Sequence, residues 1–188
     1  MIVAALIGCA GEPAGDGAAP PKRFDAVLAD PSKVVPPDEF CDTWASAETA
    51  KPFVVPELSG TPWTPPTGWR WVNVWATWCG PCVAEMPRLV KWRDQLAKES
   101  VKVDLVFLSV DSGQPEVDRF YAKNAELPPS LRINDVGQLA TWLGANGLDA
   151  STAIPIHFFL DAEGRARCVR TGSLSDGDYA PVKRLLGS

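Results

Sequence analysis

The chain has 188 residues, a net charge of −5 and 46% apolar residues. That is enough for one domain with a real core and a short extension. No basic run occurs, which argues against a nucleic-acid partner, and no apolar stretch reaches membrane-spanning length.

The proline count of 18 is high, and much of it falls in residues 13–66, which predicts an extended N-terminal region. Met1 to Gly8 is short and apolar and ends at Cys9. Leu6-Ile7-Gly8-Cys9 resembles a bacterial lipobox, in which a leader is cut before a cysteine that is then lipidated. The segment lacks basic residues and is shorter than ordinary leaders of ~15–30 residues, so either translation starts upstream or the match is accidental. The Gly/Pro/Ala-rich stretch Ala10 to Pro21 suits a flexible tether. Phe24 to Ala50 carries Pro31, Pro36 and Pro37, then Phe40 and Trp44 four apart. That spacing allows one helical turn packed on a domain surface.

Arg70-Trp71-Val72-Asn73-Val74-Trp75 is β-branched and aromatic and reads as a buried strand. From Val83 to Lys98, Met86, Leu89, Val90, Arg93, Leu96 and Ala97 recur at helical spacing. Between them stands Cys79-Gly80-Pro81-Cys82, at the point where a strand turns into a helix. A helix N-terminus favours an anion, so a thiolate there is stabilised and becomes an attacking group at neutral pH. The other reading of a Cys-x-x-Cys is half of a zinc site. Structural zinc needs four ligands, and the chain offers no second pair; its one histidine is His157, while Cys41 and Cys168 stand alone.

The run Val72-Asn73-Val74-Trp75-Ala76-Thr77-Trp78-Cys79-Gly80-Pro81-Cys82, followed by Glu85-Met86-Pro87, resembles the thioredoxin superfamily, in particular its TlpA/ResA-like membrane-anchored thiol-disulfide oxidoreductases. The resemblance extends more loosely from about Lys51 to the C-terminus. It implies an α/β thioredoxin-like fold, a central mixed β-sheet flanked by helices, over residues 51–188. Residues 1–8 would be a lipoprotein signal, and 9–50 a tether and surface-packed extension. It also implies a β-hairpin within Lys51 to Gly68 ahead of the core strand.

The remaining elements follow in order. Val101 to Val110 is an apolar run suited to a central parallel strand. Asp111 to Pro115 turns into a second helix that buries Val117, Phe120 and Tyr121. Leu127 to Ile133 is a loop with a short extended piece, Asp135 to Leu143 a third helix, and Gly144 to Thr152 a loop. Pro155 opens the apolar strand Ile156 to Leu160, as proline does at a first strand position. Asp161-Ala162-Glu163-Gly164 is a turn, Ala166 to Thr171 a return strand, and Asp178 to Leu186 a closing helix.

By the resemblance, Cys79 is the nucleophile and Cys82 the resolving cysteine of a redox-active disulfide. Trp78, Gly80, Pro81, Ile154 and Pro155 bind substrate, with Pro155 cis and the Ile154 backbone pairing with the bound chain. Glu85, three residues after Cys82, has two readings. It is a first-turn acid that complements the helix dipole, or a proton donor and acceptor for the dithiol. Asn73 stands where thioredoxins carry a buried aspartate. If Cys9 is lipidated, four cysteines remain, and in an exported protein an even remainder suggests a structural Cys41–Cys168 disulfide; the alternative is two separate thiols.

The Gly-Pro dipeptide between the cysteines resembles thioredoxin, a reductant near −270 mV. The expected activity is therefore reduction of disulfides in exported proteins, including apocytochrome c, with no cofactor and no metal. The partners would be exported thiol proteins, a membrane electron donor, and the membrane itself through the lipid anchor of a bacterial cell-envelope protein. Three rivals stand beside it. One is a disulfide-donating oxidase. Another is a Cu(I) carrier using Cys79, Cys82 and His157. The third is a peroxidase, whose chemistry wants a Pro-x-x-x-Thr/Ser-x-x-Cys run that Thr77 does not complete.

Overall fold

The structure is a computed structural model that describes residues 35–60, 62–65 and 67–187. Cys9 and the tether expected around it lie outside the described residues.

The core strand is β3 (Trp69–Trp75), preceded in sequence by a helical turn α1 (Pro37–Phe40) and two short strands, β1 (Thr43–Trp44) and β2 (Lys51–Pro52). After it come α2 (Gly80–Lys98), β4 (Val103–Ser109), α3 (Gln114–Tyr121), β5 (Ser130–Arg132), α4 (Leu139–Ala145), β6 (Ile156–Leu160), β7 (Arg165–Thr171) and α5 (Tyr179–Leu186). All these strands join one sheet in the order β1-β7-β6-β3-β4-β5, with β2 also on β7. β3 runs parallel to β4 and antiparallel to β6. Such a mixed sheet needs helical crossovers for its parallel pairs and a hairpin for β6–β7.

Trp71, Val72, Val74 and Trp75 of β3 are fully buried, because helices cover both faces of the sheet. On one face Trp71 stacks on Phe159 and meets Trp92 of α2, and Trp92 packs on Tyr179 of α5. On the other, Phe158 meets Phe53 and Trp142 of α4.

The segment 35–50 does more than lie on the surface. Phe40 is buried against Phe159, and β1 extends the sheet by pairing with β7. Phe40 and Trp44 do not share a helical turn; the chain leaves α1 at Cys41 and becomes extended. The Asp42 carboxylate accepts from the backbone N–H and hydroxyl of Thr171, both at 2.7 Å. Cys41 and Cys168 are joined in a disulfide with their Cα atoms 5.5 Å apart.

Among the described residues, 51–68 form no hairpin. β2 pairs with β7, and Leu58 makes a single antiparallel bridge to Ile133. Pro52, Pro56, Pro62 and Pro65 remove the N–H donors that a local ladder would need. The segment instead anchors through side chains: Phe53 stacks on Trp63, and Trp142 Nε1 donates to the Val54 carbonyl at 2.6 Å.

Candidate active site

The site sits where β3 ends and α2 begins. Cys79 is the N-cap of α2, and its sulfur accepts from the backbone N–H of Cys82 at 3.3 Å. Gly80 and Pro81 fill the first helical positions, where proline's missing N–H costs nothing. Cys79 and Cys82 are joined, with Cα atoms 5.3 Å apart. Cys82 is wholly buried and Cys79 retains a small exposed surface. That asymmetry makes Cys79 the sulfur an incoming chain reaches first.

The loop that presents Cys79 is clamped from the side. Asp111, at the end of β4, is fully buried. Its carboxylate accepts from the Thr77 backbone N–H at 3.0 Å, the Thr77 hydroxyl at 2.6 Å and the Ser109 hydroxyl at 2.7 Å. The Thr77 hydroxyl is therefore turned to Asp111. Asp111 carried no signal in the sequence beyond its place in a strand-to-helix turn.

Opposite the dithiol stands the loop before β6. The Ile154–Pro155 bond is cis, and the Ile154 carbonyl oxygen lies 3.9 Å from Cys79 Sγ. Trp78, Pro81, Val110, Leu139, Ala153 and Ile154 line an open, largely apolar groove of about 400 Å³ over the disulfide. Trp78 is 69% exposed, unusual for so large an apolar ring, and stands at the rim.

Beneath the dithiol lies a buried polar cluster. Glu85 Oε1 accepts from Asn73 Nδ2 at 3.0 Å, and Oε2 accepts from the Leu174 backbone N–H at 2.9 Å. Burial pushes the Glu85 carboxyl up to about 7, against the pull of those two donors and of Arg88. His157, on the same face of the sheet, is fully buried; Trp71 Nε1 donates to its Nδ1 at 3.1 Å, and its Nε2 lies 3.4 Å from Glu85 Oε1. Burial holds the imidazole neutral, with its pKa lowered to about 3.

The expected site residues thus fall into three groups. Trp78, Cys79, Gly80, Pro81 and Ile154 line one groove, with Cys82 and Pro155 buried just behind it. Glu85 is buried on α2, about one helical turn after Cys82. Cys41 and Cys168 are elsewhere, joining the turn before β1 to β7. His157 does not complete a Cu(I) set with the cysteines: its Nδ1 is taken by Trp71 and its Nε2 faces Glu85. No group of three or more metal-ligating side chains occurs among the described residues. Sequence reasoning placed His157 on the Pro155 face of its strand but missed that Trp71, Asn73 and Glu85 meet it there. The alternation of Trp71 and Asn73 on β3 was the available signal.

A strand-to-helix Cys-x-x-Cys facing the loop that opens the next antiparallel strand, on a mixed sheet, defines a thioredoxin-like protein. The model of the AhpC/TSA family matches residues 49–168, and the chain belongs to that family. Thiol-disulfide oxidoreductase ResA of Geobacillus thermodenitrificans is 27% identical over 139 residues, covering 71% of this chain and 74% of the relative. Thioredoxin-like protein YneN of Bacillus subtilis is 27% identical over 104 residues, covering 55% of this chain and 56% of the relative. Among solved structures, a DsbF homologue from Corynebacterium diphtheriae superposes with a TM-score of 0.57 at 20% identity, over 77% of this chain and 92% of the other. A thiol:disulfide interchange protein of the thioredoxin family from Chlorobium tepidum gives 0.51 at 25% identity, over 65% and 81%.

Proposed function

We propose that this thiol-disulfide oxidoreductase works as a reductant of disulfides in exported proteins, apocytochrome c among them. In the reduced enzyme the Cys79 thiolate attacks a substrate disulfide and forms a mixed disulfide. The substrate's first sulfur leaves and takes a proton. Cys82 then gives its proton to Glu85, attacks Cys79 Sγ, closes the Cys79–Cys82 bond and releases the second substrate sulfur. Two electrons pass to the substrate, and a membrane donor restores the dithiol.

The observation that carries this reading is the Cys79 sulfur at the N-terminus of α2, 3.9 Å from the Ile154 carbonyl in an open apolar groove. The N-terminal amides stabilise the thiolate, and the Ile154 backbone is placed to pair with an extended chain. Gly80-Pro81 between the cysteines supports the reducing direction. The relation to ResA supports a place in the cell envelope, and a lipid on Cys9 would hold the protein there.

The test is the midpoint of the Cys79–Cys82 couple in glutathione or dithiothreitol buffers, with insulin reduction alongside. A midpoint near −270 mV with turnover is expected. A midpoint near −120 mV would make the protein a disulfide donor instead.

A further inference from the structure

The dithiol cycle gives Glu85 a task but leaves His157 without one. His157 is fully buried on β6, two residues after Pro155. An indole N–H can only donate, so the Trp71 Nε1 contact at 3.1 Å requires a bare Nδ1. The imidazole proton must then sit on Nε2. That atom closes no hydrogen bond of ordinary geometry, and Glu85 Oε1 lies 3.4 Å from it. The Gly172 backbone is the ring's other polar neighbour; a carboxylate across a short gap is the stronger acceptor once it is charged.

We propose that His157 is a positioning residue for the proton step: fixed by Trp71 with its proton on Nε2, it steadies the ionised form of Glu85 and so sets how readily Glu85 takes the Cys82 proton. The surrounding charges leave this role to it. From α2, Arg88 is the other charge near Glu85, but it is bound to Asp176 at 2.8 Å and to the Leu174 carbonyl at 2.6 Å. From β3 the neighbours are Trp71 and Asn73, both neutral. From β7 and its following turn come Arg170, tied to Asp42 at 3.1 Å, and the Gly172 and Leu174 backbone. Cys82, one helical turn before Glu85, is the remaining titratable group, and in the oxidised protein it is in the disulfide. A carboxyl poised near 7 accepts a thiol proton at neutral pH, and a neutral N–H donor 3.4 Å away favours its ionised form.

The inference deepens the reading above and is tested apart from it, by following the Glu85 side-chain carboxyl with ¹³C NMR across pH in the oxidised full chain. His157→Phe removes the donor and should raise the Glu85 midpoint by about one to two pH units. His157→Gln, whose amide N–H reaches the same region, should keep it near the wild-type value. Trp71→Phe leaves Asn73 Nδ2, 3.3 Å from Nδ1, to hold the tautomer and should raise the midpoint by less than His157→Phe does. The rate of mixed-disulfide resolution by Cys82 should move along pH with the same shifts. The proposal is overturned if His157→Phe leaves the Glu85 titration in place, or if His157→Gln shifts it as far as Phe does. Should the Phe variant fail to fold, His157→Leu, apolar and smaller, takes its place: an unshifted Glu85 midpoint in it overturns the proposal. Failure of the disulfide cycle itself would show instead as a Cys79–Cys82 bond that does not exchange in redox buffer.

Discussion

The sulfur of Cys79 and the carbonyl oxygen of Ile154, 75 residues apart in sequence, lie 3.9 Å apart across the rim of an apolar groove. In the proposed cycle one supplies the reacting atom and the other a backbone acceptor for a chain laid beside it. The two cysteines therefore have separable tasks. Cys82→Ser should leave a long-lived mixed disulfide between Cys79 and a substrate protein, visible by non-reducing electrophoresis. Cys79→Ser should form none.

Trp78 stands at the rim of that groove with most of its ring in water. Trp78→Ala should change folding stability by less than about 0.5 kcal/mol. It should raise KM for insulin several-fold and leave kcat nearly unchanged, as loss of a docking contact does. Steady-state kinetics beside a urea melt check this.

Asp111 bonds three groups that hold the turn before Cys79. Asp111→Ala removes the acceptor of the half-buried Thr77 N–H and hydroxyl and of the buried Ser109 hydroxyl. We expect a loss of about 3 kcal/mol and slower alkylation of reduced Cys79. Urea unfolding and iodoacetamide trapping measure the two effects.

Cys41–Cys168 spans 127 residues and ties the start of β1 to β7. Removing it with Cys41→Ala and Cys168→Ala should cost about 2–4 kcal/mol. The Cys79–Cys82 midpoint should not move, because the bond lies on β7, separated from β3 by β6. A joint shift in midpoint would place the second pair in the exchange chemistry.

Glu85 and His157 give opposite slopes to the pH dependence of stability. The Glu85 carboxyl is raised from 4.5 to about 7, so the folded chain keeps a proton that the unfolded chain has lost. Its contribution is present below 4.5 and lost as pH rises toward 7, on the order of 3 kcal/mol. His157 is lowered from 6.5 to about 3, so the unfolded chain takes up a proton that the folded chain refuses. Its contribution is present above 6.5 and lost as pH falls toward 3. Between 4.5 and 6.5 the two slopes oppose each other. Glu85→Gln should unmask a stability that rises with pH to 6.5, and His157→Gln one that falls from 4.5 upward. Urea titrations at each pH read both.

The local features were legible because they are local. A β-branched and aromatic run, then Cys-Gly-Pro-Cys, then apolar residues at three and four determine a strand, an N-terminal dithiol and a helix by themselves. Pro155 ahead of an apolar strand could be placed by the same means. The hairpin that the family resemblance implied for 51–68 does not form, because prolines deny a local ladder its donors. The role of Asp111 was invisible, because a carboxylate's partners depend on what the fold brings beside it.

By itself, the sequence determined that a reactive cysteine pair sits at the N-terminus of a helix behind a buried strand, because periodicity and backbone chemistry act over a few residues. Only the tertiary structure decided that β6 lies antiparallel to β3. That pairing sets His157 beside Asn73 and Trp71, and brings Ile154 to Cys79. Burial then turns an ordinary glutamate and histidine into a pair whose proton affinities differ from their values in water. Desolvation depends on the whole packed surroundings, and no short stretch of sequence contains those.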